Sequence, residues 1–97
     1  MPRSHLTAAV GVAVRALRQE RRGLSQEDLA ELAGVHRTYL GVLERGTANP
    51  TIATLDDVAR ALGVRVSDIV LRAEGRLQGT PSGFGGWHPL APAVGSR

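Results

Sequence analysis

Apolar residues recur at three- and four-residue intervals from residue 6 to residue 71, and no stretch alternates with the period of two expected of a half-buried strand. Val10, Ala13, Val14 and Leu17 share one helical face, so a first helix is predicted from about Leu6 to Arg22, with Gly23 ending it. Ser25 followed by Asp28 has the spacing of a capping box, in which side chains satisfy the free N–H groups of a helix start. Leu29, Ala30, Leu32 and Ala33 form the expected buried side of that second helix, which stops at Gly34. A third helix is predicted from about His36 to Arg45, with Leu40 and Leu43 pointing inward and Gly46 closing it. Thr54 and Asp57 repeat the capping spacing beside an apolar stripe of Leu55, Val58, Ala59 and Leu62. Ser67 is the expected cap of a short fifth helix carrying Ile69 and Val70. The pattern predicts an all-α, compact five-helix domain.

Composition shifts after Glu74. Residues 75–97 hold six of the twelve glycines and three of the five prolines, and they include the chain's lone Phe84 and Trp87. Residues 1–74 are therefore expected to fold, and 75–97 to form a flexible, disordered tail unless the two rings dock on the domain or a partner. A chain of 97 residues has room for one small domain. Without cysteine it has no disulfide, no thiolate nucleophile and no cysteine-ligated zinc. No apolar run is long enough to span a bilayer. The apolar stretch from Leu6 to Val14 runs into Arg15, Arg18, Arg21 and Arg22 without a signal-peptide cleavage pattern, so a cytoplasmic location is expected. His5, His36 and His88 are scattered, capping accounts for Ser25 and Asp28, and Gly83–Gly86 follows no predicted strand; neither enzymatic activity nor a cofactor is expected.

The informative unit runs from Gln26 to Leu43. Two short helices are joined at Gly34, whose lack of a side chain suits a left-handed turn. Ala30 supplies the small side chain that a steep helix crossing needs, and Leu29, Val35, Leu40 and Leu43 bury the inner faces. The whole segment GLSQEDLAELAGVHRTYLGVLERGTANPTIATLDDVARALGV, Gly23 to Val64, resembles the Cro/cI-type helix-turn-helix of the xenobiotic-response-element, lambda-repressor-like family. Within it, HRTYLGVLERG is similar to the controller proteins of restriction–modification systems. The resemblance implies a lambda-repressor-like fold, a helix-turn-helix at about residues 25–45, and double-stranded DNA as the partner of a homodimer. It also implies that a helix-1 arginine pairs with Glu44. One extra residue before Gly23 leaves Arg18, Arg21 and Arg22 as alternatives for that role.

The third helix can also be read residue by residue. With Leu40 at 0° and about 100° per residue, Leu43 and Glu44 fall within about 60° of it, whereas Thr38, Val42 and Arg45 fall on the opposite side. Arg37 flanks that outer strip. These side chains suit a major groove: Arg37 can fork onto guanine, Thr38 can hydrogen-bond, and Val42 can meet a thymine methyl, with His36 a further base or phosphate candidate. Gln26, in the first turn of the second helix, is a phosphate candidate by position and by the resemblance. Arg45, Thr47 and Asn49 are expected to follow the backbone beyond the third helix, and Tyr39 is either core or a phosphate ligand.

Charge narrows the footprint. All twelve basic residues are arginine, but the net charge is only +3. Residues 1–24 are net +4, 25–34 net −3 and 35–46 net +1, so Glu27, Asp28 and Glu31 must face away from phosphates or cap helix ends. Val66, Ile69, Val70 and Leu71 offer more apolar surface than one small core needs, which makes the fifth helix the candidate dimer interface. The expected function is sequence-specific DNA binding in transcription regulation, as a dimer on a near-palindromic operator. The alternative is a protein-interaction or antitoxin-like module on the same fold.

Overall fold

A computed structural model describes residues 5–77, which form five helices: α1 (His5–Glu20), α2 (Gln26–Ala33), α3 (Arg37–Glu44), α4 (Ile52–Leu62) and α5 (Val66–Leu77). Strands are absent among the described residues. The expected tail lies mostly outside them, including Phe84 and Trp87, while α5 itself continues three residues past Glu74.

The predicted apolar stripes meet in one core. Val14, Leu29, Leu40, Leu43, Val58 and Ile69 are its largest fully enclosed side chains, each worth about 1.5–3 kcal/mol relative to exposure. The first helix packs chiefly on α5 and also on α3, while α2 lies against α4 and α3. Arg72 and Glu20 tie α5 to α1 at the surface, Nη1 to Oε2, at 2.6 Å.

Four expectations need correction. The first helix ends at Glu20, not Arg22, because the Arg21 N–H turns back to the Arg18 carbonyl at 3.0 Å as the chain bends toward α2. The fourth helix is capped by Thr51, whose hydroxyl oxygen accepts the Thr54 N–H at 3.0 Å; the same hydroxyl spacing occurs one turn earlier, directly after Pro50. The fifth starts at Val66, before Ser67, with the Asp68 carboxylate of its first turn accepting the Arg65 N–H at 2.8 Å, so Ser67 lies inside the helix. Leu32 is 62% exposed. It lies about 100° around the helix from the stripe of Leu29, Ala30 and Ala33, and an eight-residue helix wedged between two neighbours buries only that stripe.

One contact passes unannounced in the apolar pattern. A Cβ on Gly11 would lie 2.2 Å from the Leu43 carbonyl oxygen and 2.9 Å from the Gly46 nitrogen, and one on Gly46 would lie 2.9 Å from Ala8 Cα. The middle of α1 thus presses backbone to backbone on the exit of α3, and this contact sets where α3 ends relative to the core. Glycine inside a helix costs up to about 1 kcal/mol against alanine, so its presence in α1 is itself a sign of close approach.

Gly11→Ala is expected to lower stability by about 1–3 kcal/mol or more through overpacking against an unyielding carbonyl. Thermal unfolding checks this, and a melting temperature equal to that of the unsubstituted protein would contradict the contact.

Candidate nucleic-acid interface

The helix-turn-helix is built by local chemistry. The Ser25 hydroxyl oxygen accepts the Asp28 N–H at 3.0 Å and the Asp28 carboxylate accepts the Ser25 N–H at 3.2 Å, a complete capping box. This leaves the N–H groups of Gln26 and Glu27 at a helix end of positive potential. At the other end Gly34 adopts φ +74°, while the Val35 N–H closes onto the Ala30 carbonyl at 3.0 Å. The chain then extends through His36, whose Nδ1 accepts the Thr38 N–H at 3.2 Å and so caps α3. A neutral imidazole accepting through Nδ1 carries its proton on Nε2, which leaves a donor on an exposed residue.

Behind this motif lies a buried polar junction. Glu44 is only 5% exposed. Its carboxylate accepts from Arg18 Nε at 2.7 Å, from Arg18 Nη2 at 3.0 Å and from Gln26 Nε2 at 2.9 Å. A third arginine nitrogen, Nη1, donates to the Leu24 carbonyl at 3.1 Å. Four pieces of chain (α1, the following turn, α2 and α3) therefore share one hydrogen-bonded knot. The Arg18 guanidinium is held even more firmly protonated than usual, first by the hydrogen bonds to Glu44 and also by its charge, against an opposing effect of burial.

Of the three candidate partners for Glu44, Arg18 takes the role. The turn between α1 and α2 takes up residues 21–25. Arg21 instead donates to the Leu62 carbonyl at the end of α4.

The outer side of α3 is as the helical wheel places it, with two refinements. Arg37, Thr38 and Arg45 are exposed, as are His36, Thr47 and Asn49 at its two ends. Leu40, Leu43 and Glu44 point inward, with Ala30 also buried and Val35 half-buried. Val42 and Tyr39 are each half-buried, packed against the edge of the core, so only part of each side chain faces outward. The Thr47 hydroxyl and N–H both donate to the Val42 carbonyl at 3.1 Å, which secures the exit loop against α3. Gln26 reaches across from α2. Its carboxamide oxygen and Arg45 Nη1 lie 3.8 and 3.4 Å from the point where a Cβ on Gly41 would sit. Exposed Glu27 and Glu31 share α2 with Asp28, whose carboxylate serves the cap.

The sequence pattern did not single out the glycine contacts that seat this motif. Gly11 and Gly46 carry no chemistry of their own, and their one signal is a glycine inside or at the end of an apolar helical stripe.

Comparison with known proteins agrees with this geometry. The helix-turn-helix family model matches residues 14–69, and the chain belongs to that family, of the Cro/cI type. It is 49% identical over 61 residues to the immunity repressor protein of Bacillus phage phi105, which covers 63% of this chain but 42% of the repressor. It is 38% identical over 60 residues to control protein C.BamHI of Bacillus amyloliquefaciens, covering 62% of this chain and 74% of that protein. Among solved structures, the clp gene regulator ClgR of Corynebacterium glutamicum superposes with a TM-score of 0.73 at 35% identity, covering 79% of this chain and 81% of ClgR. The restriction–modification controller C.AhdI of Aeromonas hydrophila gives a TM-score of 0.62 at 36% identity, over 65% of this chain and 94% of the controller.

Glu44→Ala is expected to destabilise the protein by about 3–5 kcal/mol, because it strands a part-buried guanidinium. Arg72→Ala, which removes a surface pair, is expected to cost under about 1 kcal/mol. Urea unfolding of both variants checks the contrast; equal losses would contradict the weight given to the knot.

Proposed function

We propose that this protein is a sequence-specific, double-stranded DNA-binding transcriptional regulator that reads a near-palindromic operator as a homodimer. The observation that carries this reading is the outer side of α3. A guanidinium, a hydroxyl and part of an isopropyl group face solvent on a helix whose inner side is fixed by buried leucines and the Glu44 knot. Such a rod fits a major groove, with Arg37, Thr38, Val42 and His36 toward base edges. The first turn of α2 at Gln26 and the exit loop with Arg45, Thr47 and Asn49 lie on either side as phosphate contacts, with the Tyr39 hydroxyl a further one. The family membership and the names of the relatives, a phage repressor, a control protein and a gene regulator, favour the same reading.

Dimerisation uses the end of the molecule formed by α5 and the start of α4. Ile69 is wholly enclosed within the protomer and Val66 packs on its core, so Val70 and Leu71, both half-buried, are what α5 has left to offer. Val70 joins Leu6, Val10, Pro50, Ile52 and Leu55 around an apolar cleft, and Ile52 is 71% exposed at its rim. A second copy covering that rim places two α3 helices on one side of a duplex.

Arg37→Ala is expected to cost about 1–3 kcal/mol of affinity and to relax the base preference at one position per half-site. Binding to a duplex selected from a random pool, repeated across salt concentrations, measures both effects. Unchanged specificity would remove Arg37 from base reading, and a protein that selects no duplex would favour the protein-interaction alternative. Ile52→Asp is expected to leave the fold intact and to yield monomers in sedimentation analysis; an unaltered dimer would move the interface elsewhere.

A further inference from the structure

The apolar cleft between α1, α4 and α5 has a volume of about 230 Å³. An apolar cavity of about 150 Å³ already holds a benzene molecule, so this cleft has room for one larger ring and not for a helix. Val10, Leu55 and Val70 line it, Ile52 stands 71% exposed at its rim, and Thr7 and Asn49 add a hydroxyl and a carboxamide. A mainly apolar hollow with a few polar groups in its wall suits an indole. The ring fills the space, and its N–H finds an acceptor in the Thr7 or Asn49 side-chain oxygen. A phenyl ring has no use for those polar groups.

The chain carries a single tryptophan, Trp87, which lies outside the described residues. It follows the end of α5 at Leu77 by ten residues. Ten residues reach up to about 33–36 Å, whereas the way back along α5 from Leu77 to Val70 is only about 10 Å. Gly79, Pro81, Gly83, Gly85 and Gly86 lie on that stretch, and glycine and proline are the residues that most readily reverse a chain. So short a tether keeps the ring near its own cleft at an effective concentration on the order of millimolar, far above that of a second molecule in dilute solution.

We propose that Trp87 docks in the cleft of its own chain and shields the Ile52 rim from a second copy. The shielding rests on the dimer reading above, in which that rim is the interface; the docking itself does not. Self-association is then a competition for one hollow. A protomer releases Trp87 before a partner covers Ile52, so residues 78–97 raise the concentration at which the dimer, and with it operator binding, appears.

The test uses the full chain, in which Trp87 is the sole indole fluorophore. In dilute solution without DNA, its emission is expected at shorter wavelength than in the urea-unfolded chain, with slower quenching by acrylamide. Ile52→Asp is expected to shift that emission to the solvated wavelength while the helical circular dichroism signal persists; Val70→Ser serves the same purpose should the aspartate unfold the domain. Trp87→Ala is expected to tighten self-association about tenfold in sedimentation analysis, because a cleft filled about two-thirds of the time leaves roughly one pair of protomers in nine with both rims open. A ring already solvated in the dilute chain would overturn the docking, as would an enclosed ring that neither cleft substitution releases. Short-wavelength emission that appears only as dimers form would place the ring on the partner and overturn the contact within one chain. Dimers of unchanged affinity in Trp87→Ala would overturn the shielding. Monomers at every concentration in both chains, with Trp87 released by Ile52→Asp, would overturn the dimer reading while supporting the docked ring.

Discussion

The arrangement of this protein depends on one buried carboxylate. Glu44 stands at the last turn of α3 and receives three hydrogen bonds, two from Arg18 on α1 and one from Gln26 on α2. A charge so enclosed is tolerable only when its lone pairs are occupied, so the three helices cannot shift relative to one another without exposing it or leaving it unsatisfied. Apolar packing alone is less discriminating, since leucines on a short helix can slide and repack at modest cost. The knot therefore supplies register as well as cohesion. It fixes the rotation of α3 about its axis, and that rotation decides which side chains meet solvent.

A second constraint works at shorter range. The backbone of α1 touches the exit of α3 where Gly11 and Gly46 leave no room for side chains. The knot and this contact lie close together at the C-terminal end of α3, while Gly34 and the His36 cap govern its other end. An eight-residue helix held at both ends has little freedom left, as a surface that must match a rigid groove requires. The acidic residues of α2 fit the same scheme. Asp28 is drawn into the cap, and the remaining carboxylates share a helix whose buried stripe faces α3 and α4.

The helix order, the all-α class and the outward strip of α3 were legible in the sequence because each rests on local periodicity. The Ser25–Asp28 box, the turn at Gly34 and the inward leucines are decided within a few residues of themselves. Where several local solutions compete, periodicity does not choose between them. Thr51 and Thr54 offer the same hydroxyl at successive turns, and tertiary placement of the preceding loop selects the first. Leu32 looks as apolar as Leu29, yet only three-dimensional packing shows that no neighbour covers it. The choice of Arg18 over Arg21 and Arg22 was beyond reach for the same reason. It turns on how the chain folds between α1 and α2, and spacing alone does not say. Least legible was Gly11, a residue that matters through what it lacks.

Mapping amide chemical shifts by nuclear magnetic resonance, as a selected duplex is added, tests the central claim most directly. If the knot turns α3 outward for DNA, the largest changes fall on Gln26, Glu27, Arg37, Thr38, Val42, Arg45 and Thr47, and an equally long unrelated duplex moves mainly the phosphate-facing subset. Changes concentrated on α5 and the acidic side of α2, with α3 unmoved, would contradict it.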